Sequence, residues 1–272
     1  MEQPDDVKPQ ISSPPSIGVL VVGHGTRDPR GQAEFLSTVE RLTERTPAMR
    51  VRPCYLELVE PGIDEGIDRL AEEGATTIVV APLLLFAAGH AKRDVPRALE
   101  QARGRHPRIT FLQAAHLGCH ERILQLSDRR FRDARRVGGR SGERLPRDGR
   151  SSLWIVVGRG SLEESALAEM ERFAHLRAPA AGTDERVVCY LAMARPSFAE
   201  TLAKSADGRY DRVIVQPHLL FHGELLETIR VQAEACSRQH DFVEWWLCEN
   251  LGPDVEVAAA LADRVSEALI LP

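Results

Sequence analysis

The sequence has no C-x-x-C pair. Its five cysteines, Cys54, Cys119, Cys189, Cys236 and Cys248, are scattered. That excludes a disulfide framework or a closed structural zinc site and fits a reducing, cytoplasmic compartment. Long hydrophobic runs are also lacking. The longest, IVVAPLLLFAAG at Ile78–Gly89, is too short to span a bilayer and contains Pro82. Positive charge is not in excess: the net charge of -5 gives no general case for nucleic acid or an anionic membrane surface as partner. MEQPDDVKPQISSPPS at the start is acidic and proline-rich, without the basic flank and apolar core of a signal peptide, and residues 1–16 are expected to form a disordered leader. Nucleotide motifs are missing as well. GHGTRDPRG places Asp28 where a dinucleotide fingerprint needs its last glycine, and no G-x-x-x-x-G-K-[ST] loop occurs. Ser161 in GRGSLEES does not sit in a G-x-S-x-G elbow. No organic cofactor and no ATP are therefore expected.

What is present is a duplication. LVVGHGT at Leu20–Thr26 resembles IVVGRGS at Ile155–Ser161, PCYLELVEP resembles VCYLAMARP, and IVVAPLLLF resembles VIVQPHLLF. The register is constant, with 135 residues separating Cys54 from Cys189, Pro61 from Pro196 and Phe86 from Phe221. Two long copies describe two domains rather than a solenoid. In the first copy, β-branched runs predict strands at Val19–Gly23, Val51–Glu57, Thr77–Pro82 and Ile109–Gln113. Amphipathic runs predict helices at Gln32–Arg45, Gly62–Glu73, Lys92–Gly104 and Cys119–Arg130. Strands of the second copy fall at Leu153–Gly158, Arg186–Leu191, Arg212–Gln216 and Phe242–Leu247. Continuous apolar strands alternating with helices predict an α/β fold: two tandem doubly wound domains, each a parallel sheet of about four strands flanked by helices. The expected boundaries are 17–127 for the first domain, 128–150 for an Arg/Gly-rich linker and 151–272 for the second domain, with each copy holding its own core.

In a parallel α/β sheet, ligands sit beyond the carboxyl ends of the strands. His24, Glu57 and His90 fall at those ends in the first copy, at even spacings of 33 residues. Imidazole and carboxylate are donors for borderline divalent metals, and imidazole also exchanges protons near neutral pH. Gly23, Gly25 and Gly89 would let a large flat ligand approach the backbone. The remaining histidines, His106, His116, His120, His175 and His240, read as ordinary surface or structural residues.

These blocks resemble the sirohydrochlorin chelatase family, the cobaltochelatases and ferrochelatases. GHGTRDP, CYLELVEPGIDEGI and VVAPLLLFAAGHAKRDVP carry the resemblance, with the second copy similar to the family's duplicated half. It implies a chelatase-like fold and insertion of Co²⁺, or alternatively Fe²⁺, into sirohydrochlorin during cobalamin or siroheme synthesis. The metal would be a substrate. His24 and His90 would deliver it and take up pyrrole protons, and Glu57 would orient them or bind metal. Arg27, Lys92, Arg93 and Arg159 would hold the tetrapyrrole's carboxylates. The second copy departs from the pattern: Arg159 stands opposite His24, Ala192 opposite Glu57, and Glu224, after a one-residue shift, opposite His90. His218, His222 and Glu224 leave a second metal site open. The sequence is equally compatible with a monomer or a homodimer. A non-catalytic metal or tetrapyrrole carrier is the alternative reading of the same residues.

Overall fold

The computed structural model describes residues 16–86, 90–137 and 151–270, with the helical backbone alone for His90, Ala91, Arg136 and Val137. The expected leader therefore lies outside the described residues except for Ser16, as do Gly89 and the stretch 138–150 of the expected linker.

Among the described residues, sixteen elements alternate strand and helix. The first half contains β1 (Ile17–Gly23), α1 (Pro29–Arg45), β2 (Arg50–Tyr55), α2 (Ile63–Glu72), β3 (Thr77–Pro82), α3 (His90–Arg105), β4 (Thr110–Gln113) and α4 (Glu121–Val137). The second half repeats this with β5 (Ser152–Gly158), α5 (Glu164–Ala181), β6 (Glu185–Tyr190), α6 (Phe198–Ser205), β7 (Arg212–Pro217), α7 (Glu224–Gln239), β8 (Glu244–Leu247) and α8 (Val255–Ile270). Each half forms a four-stranded parallel sheet, in the orders β2-β1-β3-β4 and β6-β5-β7-β8. This is the predicted pair of doubly wound α/β units.

The strands sit where continuous apolar runs must be covered on both faces. In β1, Leu20 and Val22 face α2 and α3, while Val19 and Val21 face the opposite layer. Period-two alternation thus splits one buried strand between two cores. β4 and β8, each at one edge of its sheet, are short and only partly buried. Helix starts follow local chemistry. The Asp28 carboxylate accepts from the backbone N–H groups of Arg30 and Gly31, and Pro29 opens α1. This places the start of α1 three residues before the predicted Gln32. Ser197 and Glu200 form a capping box on α6.

The cores are not self-contained, contrary to expectation. α8, from the second half, buries Val257, Ala260, Leu261 and Val265 against Val19, Val21 and Val79 of the first sheet. α4 passes the other way: Phe131 packs edge-on against Trp154 at 6.1 Å and joins Val156 and Trp246 under the second sheet. A polar seam fixes this crossing. Trp154 Nε1 donates to Gln216 Oε1 at 2.9 Å, and Gln216 Nε2 donates to the Ser127 carbonyl at 2.7 Å. Buried Arg177 pairs with Asp128 at 3.0 Å over the Trp154 ring. Such buried polar groups tolerate one arrangement far better than any other.

The predicted linker start at residue 128 needs a related correction. α4 continues through Asp128 to Val137. Its arginine-rich composition resembles a solvated tether. Yet Leu126 and Phe131 are buried and Ala134 is packed behind them, while Arg129, Arg130 and Arg132 face outward or toward acidic partners. The helical stripe, not the composition, decides the structure.

Candidate metal and tetrapyrrole site

His24 follows β1 directly, and Gly25 then turns the chain at φ 98°. A Cβ at Gly25 would lie 1.9 Å from the Glu57 carbonyl oxygen, so only glycine permits the approach of the two loops. The β1–β2 ladder continues past the sheet into this turn. Leu56 N–H donates to the Gly23 carbonyl at 2.9 Å, and Glu57 N–H donates to the His24 carbonyl at 3.1 Å. Glu57 thus lies two residues beyond the end of β2, rather than at the predicted strand end, yet it is pinned beside His24. The two side chains meet at 3.3 Å, His24 Nδ1 to Glu57 Oε1, and both stay accessible at 37% and 45% exposure.

The other ring nitrogen, Nε2, lies 2.5 Å from Arg159 Nη1 of the second half. A guanidinium can only donate, so Nε2 presents its lone pair. The proton of neutral imidazole then sits on Nδ1, which lies 3.3 Å from Glu57 Oε1.

The second half repeats the loop in backbone but not in chemistry. Gly160, at φ 94°, would place a Cβ 1.8 Å from the Ala192 carbonyl oxygen, and Ala192 N–H donates to the Arg159 carbonyl at 2.9 Å. Leu58 and Met193, non-glycine residues at φ 70° and 59°, occupy matching places in the two loops and are both exposed. Arg159 and Ala192 are the spatial equivalents of His24 and Glu57.

The other expected site residues divide. His90 is the first residue of α3, and its side chain lies outside the described residues. Lys92, two residues along the same helix, donates to Ser165 Oγ at 2.6 Å, across to the first turn of α5. Arg93 is exposed on α3. Arg27 lines a cleft of about 810 Å³ between the halves, together with Leu58 on one wall and His222, Glu224 and Glu227 on the other. That volume falls in the range of organic-ligand pockets.

The three residues considered for a second metal site do not converge. His218 is 4% exposed and packed between Phe86 and Phe173, with ring centroids at 5.1 and 4.0 Å. Burial pushes its pKa down to about 3, so it is a neutral core residue at the place held by Leu83 in the first half. His222 serves a contact between halves: its N–H donates to Glu34 Oε2 at 2.6 Å and its Nδ1 faces Asp28 Oδ2 at 3.3 Å. Hydrogen bonds from the Gly31 and Arg30 backbone, with His222 adding to them, hold the Asp28 carboxyl below its ordinary range. Glu224 begins α7 on the cleft wall. Among the described residues no group of three or more His, Cys, Asp or Glu is arranged to hold a metal. The histidines read as structural include His106, His116 and His120, which face Asp68, Glu169 and Asp263. None of the described helices is long and apolar enough to cross a membrane.

Sequence reasoning did not anticipate the Arg159–His24 contact or the Glu34–His222–Asp28 bridge. The TRDP start of α1 carried a readable cap signal, but nothing local shows that this cap also faces His222.

Comparison with known proteins points to one family. A sirohydrochlorin ferrochelatase of Priestia megaterium is 31% identical over 92% of this chain and 90% of its own length. A sirohydrochlorin cobaltochelatase of the same organism is 28% identical over 92% of this chain and 79% of its own. The solved structure of SirB from Bacillus subtilis with Fe³⁺ superposes with a TM-score of 0.80 at 26% identity, covering 93% of this chain and 95% of that one. The CbiX family profile matches twice, over residues 18–134 and 153–268, once on each sheet and its helices. The duplicated loops and paired parallel sheets are thus two copies of the CbiX unit, and the chain belongs to the CbiX family.

Proposed function

We propose that the protein inserts a divalent metal into sirohydrochlorin without ATP, with Co²⁺ ahead of Fe²⁺. The observation that carries this reading is the His24–Glu57 pair, clamped by Gly25 where the first half meets Arg159 of the second. Relatives with both metal names match, and nitrogen donors of this kind favour Co²⁺ over Fe²⁺ in intrinsic affinity.

In this reading His24 Nε2 is the metal-binding atom, and the Glu57 carboxylate, 3.3 Å from Nδ1, orients the ring and balances its charge, as carboxylates behind metal-bound histidines do. His90, at the start of α3, supplies the second imidazole. Insertion exchanges M²⁺ for two pyrrole protons, and each neutral imidazole can accept one once the metal has left it. The donor set stays open, which lets the metal move on to the macrocycle. Arg27, Lys92 and Arg93 supply positive charge for the carboxylate rim, and the second half forms the opposite wall. One chain would then provide both sides of the cleft, with either a monomer or a homodimer compatible. The protein is expected to work in the cytoplasm, with neither nucleic acid nor membrane as partner. One unit ends near residue 137 and the second begins at 151, each lending its last helix to the other.

The deciding experiment follows Co²⁺ insertion into sirohydrochlorin by absorbance, against the spontaneous rate. A rate equal to the background, with metal still bound, would favour the carrier reading.

A further inference from the structure

Arg159 stands on the same backbone feature as His24, and the two meet where the halves face each other. The Gly160–Ala192 contact holds one as the Gly25–Glu57 contact holds the other. Arg159 Nη1 lies 2.5 Å from His24 Nε2, while Nδ1 of the same ring is turned to Glu57. The nitrogen that faces away from Glu57 is therefore already occupied. A metal and a guanidinium cannot share one lone pair, and a fixed positive charge at that distance repels an incoming dication. Arginine does not lose its proton in proteins, so it can only be displaced.

We propose that Arg159 is a positioning residue that guards His24 Nε2, keeping metal affinity low until an anionic ligand draws the guanidinium away. This rests on the reading of His24 as a metal ligand. A carboxylate offers two charge-assisted hydrogen bonds in place of one contact to a neutral nitrogen, and is the better partner. A polycarboxylate macrocycle entering the cleft would thus open the metal-binding atom as it binds. Free metal would meet a largely closed site in the empty protein. The replacement of histidine by arginine in the second copy then has a purpose beyond loss of a ligand.

The test is calorimetric titration of the full-length, metal-free protein with Co²⁺ alone. The comparison covers wild type, Arg159→Met, Arg159→Gln, His24→Ala and the His24→Ala/Arg159→Met double variant. Arg159 is exposed, so its substitution opens no core cavity. Arg159→Met is expected to bind Co²⁺ about ten-fold or more tighter than wild type, the scale of one hydrogen bond to a charged group. Arg159→Gln, which keeps a neutral donor, falls between the two. On the His24→Ala background the same Arg159→Met change has no effect. Unchanged or weaker binding in Arg159→Met overturns the guard, as does a gain that persists without His24. If Arg159→Met binds Co²⁺ no tighter than the double variant, it is the assignment of His24 as a ligand that fails.

Discussion

The β1–β2 and β5–β6 loops have the same backbone and opposite chemistry. Both turn on a positive-φ glycine pressed against a carbonyl, and both carry a positive-φ Leu or Met and a cis X–Pro bond at matching places. One displays His24 and Glu57, the other Arg159 and Ala192. Backbone shape is retained because the sheet edge and the second half must still pack. Side chains aimed into the cleft are not bound by that need, so they diverge. The duplication therefore separates what the fold requires from what the chemistry requires.

The largest way to break the comparison is to remove the imidazoles. His24→Ala, and equally His90→Ala, should lower kcat for Co²⁺ insertion by about 10³-fold, within the usual range for a lost general base. His222→Ala and Glu224→Ala should cost less than ten-fold by the same assay, since they belong to the opposite wall. Equal losses would place the site in both halves.

The two glycines give a matched pair. Gly25→Ala forces the Glu57 carbonyl away from the turn and should reduce turnover about 10²-fold, because His24 loses its orienting partner. Gly160→Ala meets the same clash at the Ala192 carbonyl, so thermal melting should show a similar loss of stability in both. Its turnover should fall far less. A Gly160→Ala defect as deep as that of Gly25→Ala would show that the Arg159 loop takes part in the chemistry.

The exchanged helices test whether the halves are independent. Phe131→Ala removes the ring that carries α4 under the second sheet and should cost about 3 kcal/mol in denaturant unfolding. One cooperative transition should remain, because each sheet is covered by a helix from the other half. Two separated transitions would mean the halves fold alone.

The smallest effect concerns His218, the counterpart of Leu83. Burial lowers its pKa to about 3, so below the ordinary histidine value of about 6.5 the unfolded chain takes up a proton that the folded chain refuses. Its contribution to stability is whole above about pH 6.5 and is lost as the pH falls toward 3. His218→Leu should flatten that loss, read as a smaller drop in urea midpoint between pH 7 and pH 4.5 than in wild type. An unchanged drop would mean that His218 is protonated in the folded state.

Much of this was legible in the chain. β3 falls at Thr77–Pro82 as predicted, and the other strands lie within two residues of expectation, because an apolar run covered on both faces declares itself locally. The 33-residue spacing and the 135-residue register placed His24 beside Glu57 and Arg159 opposite His24 in the repeat. What the chain did not disclose was contact between surfaces. Nothing local showed that Arg159, expected to meet a substrate carboxylate, also lies against His24. His218 was open as a ligand, and it is sealed between Phe86 and Phe173.

The sequence by itself determined the two parallel sheets, the glycine turns and the residue types at the strand ends, since periodicity, capping and backbone sterics act over a few residues. Only the tertiary structure decided that α4 and α8 change places, that Asp28 and Glu34 face His222, and that one half's arginine occupies the other half's imidazole. Those outcomes depend on which of many amphipathic faces meet. That choice is made by the summed packing of elements more than one hundred residues apart, to which no local pattern is sensitive.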